Sequence, residues 1–206
     1  MKSFLVIGVG RFGRHLCKKL YELGYDVMAV DRNEDCIEQV LPYTLNSMIG
    51  DSTKSEFIKS IGVSNFDACF VAIGDDFQTS LETTSLLSEC GAKYVVARAS
   101  RDTQAKFLLR NGANEVVYPE RQLAEWTAIR YSSNNISNYI ELPGENSIFE
   151  CKVPKSWEEK TVLELDIRKK YKVNIMGIKK GENWYMTITP QTKFEKDQDI
   201  MVYGAN

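Results

Sequence analysis

Along the first ~130 residues, short apolar runs alternate with amphipathic stretches, the rhythm of strands each followed by a helix. Phe4–Ile7 is continuously apolar, as a strand buried on both faces should be. Phe12, Leu16, Leu20 and Leu23 then recur at helical spacing until Gly24 stops the helix. Asp26–Asp31 predicts a second strand, and Asn33 caps a helix running to about Leu41, where Pro42 ends it. Leu45–Ile49 is a weaker third strand closed by Gly50-Asp51-Ser52-Thr53, and a short helix follows it to Gly62. Asp67–Ile73, Tyr94–Ala99 and Glu115–Tyr118 continue the series. The helices between them end at Cys90-Gly91 and Asn111-Gly112, and Pro119-Glu120 opens another that runs to about Tyr131. Six strands, each followed by a helix, predict a complete doubly wound α/β sheet.

The pattern breaks around Ser132-Ser133-Asn134-Asn135. This predicts a first domain over residues 1–135, a crossover to about 140 and a small α+β subdomain over 141–206. In the latter, Ser147–Val153, Val173–Lys179, Trp184–Ile188 and Ile200–Tyr203 read as strands and Val162–Tyr171 as a short helix. Lys180-Gly181-Glu182-Asn183 forms a hairpin turn. A lobe this small is near the lower limit for standing alone and should lean on the first domain or on a twin of itself.

Composition narrows the classes. The 26 basic residues are matched by 28 acidic ones, so the basic field of a nucleic-acid binder is missing. The densest basic run, Arg168-Lys169-Lys170, is a solvated helix face. The five cysteines form no C-x-x-C pair, which argues against a zinc knuckle or a disulfide framework and for reduced thiols in the cytosol. Phe4–Val9 is too short for a signal peptide's apolar region, and no run approaches the ~20 apolar residues of a membrane helix. The expected protein is soluble and reaches a membrane only by docking.

Gly8-Val9-Gly10-Arg11-Phe12-Gly13 is G-x-G-x-x-G between a strand and a helix. Its glycines serve a tight turn, close approach of a phosphate and close helix–strand packing, and the helix N-terminus offers N–H groups to the anion. Asp31 lies 18 residues beyond Gly13 at the end of the second strand, where an acid accepts a ribose hydroxyl. Together these predict a Rossmann-type fold binding an adenine dinucleotide or a related nucleotide. Other polar residues fall at the carboxyl ends of strands: Asp51-Ser52, Gly74-Asp75, Arg98 and Glu120. Each has a plainer role available. Asp75 is placed to cap a helix, Ser52 and Thr53 to cap the one after Asp51, and Glu120 to complement a helix dipole. Arg11 is a cation at a helix N-terminus, electrostatically misplaced unless an anion sits beside it.

Catalytic chemistry is not supplied. The only histidine, His15, falls inside the first helix, and no Tyr-x-x-x-Lys pair occurs; Tyr94 is followed four residues later by Arg98. The sequence points to a binding module rather than an enzyme.

The motifs in register resemble the RCK family, regulators of K⁺ conductance, and within it the Ktr/Trk-type regulatory subunits of bacterial potassium uptake. They are V-I-G-V-G-R-F-G, A-V-D at Ala29–Asp31, G-D-S-T at Gly50–Thr53, V-A-I-G-D at Val71–Asp75, V-A-R-A at Val96–Ala99 and Y-P-E at Tyr118–Glu120. Asp166–Ile178 matches the family's C-terminal subdomain, while many relatives continue past the position of Asn206. The resemblance implies a homo-oligomer, dimers assembled into a ring of eight, at the inner face of the cell membrane beneath an integral-membrane K⁺ transporter. It implies gating by ATP or ADP, with NAD or NADH as alternatives. Asp31 would hold the ribose, Asp51 and Ser52 the adenine edge, and Gly8, Gly10 and Gly13 the phosphates. Arg11 and Arg98 would meet the distal phosphates, with Phe12, Arg32, Ile73, Gly74 and Asp75 completing the site. Glu120 would help hold Mg²⁺ or Ca²⁺. A cyclic dinucleotide site in the second lobe would use Arg168, Asn174, Ile175 and Pro190, residues that an ordinary dimer surface explains equally well.

Two other classes stay open at this point: a redox sensor reading NADH against NAD⁺, and a small NAD-dependent oxidoreductase. Asp31 does not separate them, because all these nucleotides present a free 2′-hydroxyl; it disfavours only NADPH.

Overall fold

The computed structural model describes residues 2–132, 135–142, 144 and 146–205. The chain forms two compact units, Met1–Gln122 and Leu123–Asn206. Ser133 and Asn134, in the middle of the expected break, lie outside the described residues, as does Asn206.

The first unit is a six-stranded parallel sheet with flanking helices. Its elements are β1 (Ser3–Ile7), α1 (Arg11–Glu22), β2 (Asp26–Asp31), α2 (Glu34–Glu38), β3 (Asn46–Ile49) and α3 (Ser55–Ile61). They continue as β4 (Ala68–Val71), α4 (Phe77–Glu89), β5 (Val95–Arg98), α5 (Asp102–Arg110), β6 (Glu115–Val117) and α6 (Pro119–Ser132), the last passing into the second unit. The strand order β3-β2-β1-β4-β5-β6 places the reversal of winding between β1 and β4, where Phe4 is in register with Ala68 and Ile7 with Val71. Ligands of doubly wound sheets bind outside the carboxyl ends of the strands at that reversal.

Why β1 reads as an unbroken apolar run is plain from its packing. Leu5 and Ile7 enter an apolar cluster with Val71, Val95, Leu87 and Leu108, whereas Val6 enters a second cluster with Val27, Ala29, Cys17 and Leu20. Both faces of the strand are dry. Burial also pushes the thiols of Cys17 and Cys69 up to about 12, and all five cysteines are unpaired.

Local details depart from the sequence expectation at four places. The helix capped by Asn33, whose side chain accepts from the Asp35 N–H, ends at Glu38, before a separate 3₁₀ turn at Leu41–Tyr43. The cap of α4 is Asp76, whose carboxylate accepts from the Thr79 N–H at 3.1 Å and its hydroxyl at 2.7 Å; Asp75 is not the cap. Neither Ser52 nor Thr53 caps α3, which begins after Lys54 without a side-chain cap. The fourth strand is only four residues long, because Ala72 onward turns into the loop before α4.

The second unit holds a five-stranded antiparallel sheet in the order β10-β9-β11-β8-β7. These are β7 (Ile136–Glu141), β8 (Asn146–Lys152), β9 (Asn174–Lys180), β10 (Asn183–Tyr185) and β11 (Asp199–Ala205). The pattern missed β7, and the strand expected over Trp184–Ile188 stops at Tyr185. The single expected helix is two: α7 (Val162–Leu165), with a capping box between Thr161 and Glu164, and α8 (Ile167–Tyr171). Asp166 between them is left-handed at φ 45°, which no helix accommodates. Phe194, Trp157, Ile167 and Ile200 centre this unit's apolar core.

Candidate functional site

One cleft of about 550 Å³ opens at the carboxyl edge of the parallel sheet, where β1 and β4 part. Gly8, Gly10, Arg11, Phe12, Asp31, Arg32, Asp51, Ser52, Ile73, Gly74, Asp75, Arg98 and Glu120 all border it. Of the residues singled out in the sequence of this unit, Gly13 alone does not.

The loop between β1 and α1 explains that division of labour. Gly8 holds φ +87°, a conformation that L side chains rarely adopt, and a Cβ there would also press on Ile73 at 2.8 Å. At Gly13 a Cβ would run into the carbonyl oxygen of Gly8, so this glycine lets α1 lie against β1. Gly10 differs from both: a Cβ at that position would meet nothing within 4 Å. The chain keeps open space at this turn, which borders the cleft beside the first N–H groups of α1, the donors an anion would need.

Asp31 fastens this turn. Its Oδ2 accepts from the Val9 N–H at 2.8 Å and its Oδ1 from the Asn33 N–H at 2.9 Å, tying the end of β2 to the glycine loop. A carboxylate has lone pairs beyond these two, and Asp31 borders the cleft with acceptor capacity to spare. Asp51 accepts from the Thr53 N–H at 3.0 Å and hydroxyl at 2.7 Å, bonds that hold its carboxyl below the usual carboxylate range. Hydrogen bonds from Thr79 do the same for Asp76. Arg32 also borders the cleft, and its positive charge adds a little to the lowering at both Asp51 and Asp76. Ser52 is buried with its hydroxyl 2.7 Å from that of Thr83, so it shapes the floor rather than offering a free hydroxyl.

At the other end Arg98 is seated against Gly74, where any Cβ would collide with its guanidinium, and lies 5.9 Å from the centre of the Phe12 ring. Its Nη2 pairs with Glu120 Oε1. Its Nε is buried with no partner among the described residues. The side chain of Arg11, exposed on the first turn of α1, makes no hydrogen bond or ion pair with any described residue.

Sequence reasoning missed Gly50, Asp76, Thr79 and His15 as lining residues. The signal for His15 was available: it lies four residues after Arg11, on the same helical face. Among the described residues, no group of three or more His, Cys, Asp or Glu side chains is placed to hold a metal ion. In the second unit Arg168, Asn174 and Pro190 are exposed and Ile175 packs on the apolar core. None of the four borders that unit's own cavity, of about 330 Å³, which is lined by Phe149, Cys151, Trp157 and Ile200 among others. No described helix is long and apolar enough to cross a membrane.

Comparison with known proteins extends over the whole chain. Residues 4–119 match the TrkA-N domain and residues 148–206 the TrkA-C domain. The chain is 39% identical to the Ktr system potassium uptake protein C of Bacillus subtilis, over 99% of its own length and 92% of the relative's. It is 32% identical to the Ktr system potassium uptake protein A of the same organism, over 98% and 91%. Among solved structures, the GsuK RCK domain superposes with a TM-score of 0.69 at 18% identity. That match covers all of this chain and 45% of the other, and at such identity it speaks for the fold alone.

Proposed function

The chain belongs to the TrkA family, and from that premise we propose that it senses an adenine nucleotide and regulates a membrane potassium-uptake transporter. One observation supports this above the others: the glycine loop, Asp31 and the two arginines meet in a single cleft at the reversal of the sheet. In this reading Asp31 takes the ribose, the Asp51–Ser52 turn the adenine edge, and Gly10 with the α1 N-terminus the inner phosphates. Arg11 and Arg98 take the outer phosphates. ATP and ADP are the proposed pair, since a third phosphate is what Arg11 would distinguish; NAD or NADH would fit the same ribose and pyrophosphate contacts.

A divalent cation, Mg²⁺ or Ca²⁺, would be held by Glu120 together with phosphate oxygens. The lone carboxylate suits such a shared site and cannot make a cage by itself. The regulator is proposed to work as a homo-oligomeric ring of eight at the inner face of the cell membrane, through its transporter. Nucleotide binding shifts such a ring only if the two nucleotides make different contacts in its two states.

The test is reconstitution with a Ktr-type transporter and a K⁺ flux assay in ATP and in ADP, with calorimetric binding and turnover followed in parallel. Flux that differs between the nucleotides, with neither consumed, is expected. Flux indifferent to nucleotide, or efficient hydrolysis, would defeat the reading.

Two substitutions probe the outer phosphates. Arg11→Ala is expected to weaken ATP by about tenfold and ADP by less than threefold, the loss of one charge-assisted contact of ~1.5 kcal/mol. Glu120→Gln is expected to flatten the dependence of ATP binding on Mg²⁺. Calorimetry across a metal series decides both; equal losses for the two nucleotides with metal dependence intact would return Arg11 and Glu120 to ordinary surface roles.

A further inference from the structure

The strangest contact in the cleft is the one that leaves it. Arg98 ends β5, and the carboxylate it holds belongs to the first turn of α6, the helix that carries the chain from the first unit into the second. The two partners are unequally fixed. The Arg98 side chain is 17% exposed and lies between Gly74 and the Phe12 ring, while Glu120 is 64% exposed on the first turn of a helix. The arginine is the anchored post and the glutamate the free end of the tether.

The root of α6 is held by polar contacts rather than by burial. None of its described side chains is buried, so apolar packing does not pin the helix. Besides the Arg98–Glu120 pair, Arg121 pairs with Asp102 at 2.8 Å and stacks 4.2 Å over the Tyr118 ring, on the side of α5. Only the first of these tethers reaches into the cleft.

Arg98 is also incompletely satisfied. A guanidinium has five donors in a planar fork, and here Nε is buried with no partner among the described residues. Such a donor needs an acceptor oxygen, and a phosphate offers several in the bidentate geometry that arginine prefers. A carboxylate mostly in water is the weaker competitor, because solvent screens it.

We propose that Arg98 exchanges Glu120 for a phosphate of the bound nucleotide, and that this exchange unfastens the first turn of α6. The claim deepens the nucleotide reading above and rests on it. It makes Arg98 a positioning residue with two partners rather than a static phosphate ligand. It also gives the cleft a direct mechanical link to the helix leading out of the first unit.

Hydrogen–deuterium exchange on the full chain tests it, with ADP at saturation and EDTA present so that no cation bridges Glu120 to phosphate. Peptides over residues 7–14 report occupancy of the cleft, and peptides over 118–132 report α6. In the wild type, ADP is expected to slow exchange in the first and speed it at least threefold in the second. In Glu120→Gln and in Arg98→Gln, α6 exchange is expected to be fast from the start and to ignore ADP. Arg98→Lys, which keeps a charge, is expected to restore slow exchange in the absence of ADP. A protected loop with α6 unchanged or slowed would overturn the exchange while leaving the nucleotide reading intact. An unprotected loop would overturn both.

Discussion

Alanine at Gly13 is expected to lower the midpoint of thermal unfolding by roughly 6–12 °C, whereas alanine at Gly10 should leave it within about a degree. The contrast comes from what each new Cβ meets. At Gly13 it strikes the carbonyl oxygen of Gly8, a backbone atom of the turn that directly follows β1 and is tied to β2 through its N–H to the Val30 carbonyl, which cannot turn aside as a side chain would. Overpacking of that kind costs about 3 kcal/mol or more, and the helix must move off the sheet to relieve it. At Gly10 the Cβ enters open space, and the backbone there, with φ −63° and ψ −160°, already suits alanine. The methyl group would occupy the volume proposed for a phosphate. Binding of any adenine nucleotide should therefore fall by about a hundredfold or more in Gly10→Ala, a steric loss of ~3 kcal/mol against an intact fold. Thermal unfolding and calorimetry on both variants settle the matter. A stable Gly13→Ala would mean that α1 can be displaced without cost, and full affinity in Gly10→Ala would mean that the phosphates lie elsewhere.

Asp31→Ala should lose affinity and stability together. Removing the carboxylate strands the N–H of Val9, a residue only 2% exposed, and that orphaned donor costs about 1–3 kcal/mol. The Asn33 N–H is exposed and can turn to water, so its loss matters less. Ligand affinity falls further, by the ribose contact and by the loosened turn, to a combined loss of about 2–4 kcal/mol for every adenosine ligand. Asp31→Asn separates the two effects. Its single amide oxygen can satisfy Val9 or face the ribose, and its NH₂ opposes whichever N–H remains. Unfolding close to wild type with affinity still reduced at least tenfold is the expected outcome. Equal affinity in Asp31→Asn and wild type would remove the ribose from this residue.

What the sequence made legible was local. Asp26–Asp31 announces its strand by composition, and its observed bounds are the expected ones, because both ends are charged and the middle is apolar. The Gly8–Gly13 motif announces a turn through residues that only a turn requires. Strand β7 was hidden for a physical reason: its pairing with β8 slips between Ile136 and Asn138, so the alternation of apolar and polar residues breaks inside six residues. The Val162–Tyr171 stretch has helical spacing throughout, and nothing in composition reveals that Asp166 turns left-handed. The plainer role open to Asp75, the cap of α4, falls to its neighbour Asp76, a difference of one residue within the slack of any helix end read from pattern. The contacts that give the cleft its character were beyond reach altogether. Asp31 to Val9 and Arg98 to Glu120 each join residues some 22 apart that only the sheet brings together.

The order of strands in the first unit also governs how the chain must be made. β1 is synthesised well before β4, its second neighbour, with Phe4 waiting for Ala68. Until that partner leaves the ribosome, β1 has β2 on one edge and no strand on the other. At roughly 5–20 residues per second the gap lasts several seconds, during which an unpaired hydrophobic edge is open to wrong partners. Closing so long a loop is also the slow, entropically costly step of such a topology. Substitutions that weaken β4 should therefore show first as lost yield of soluble protein, before any purified sample reveals a lower melting point.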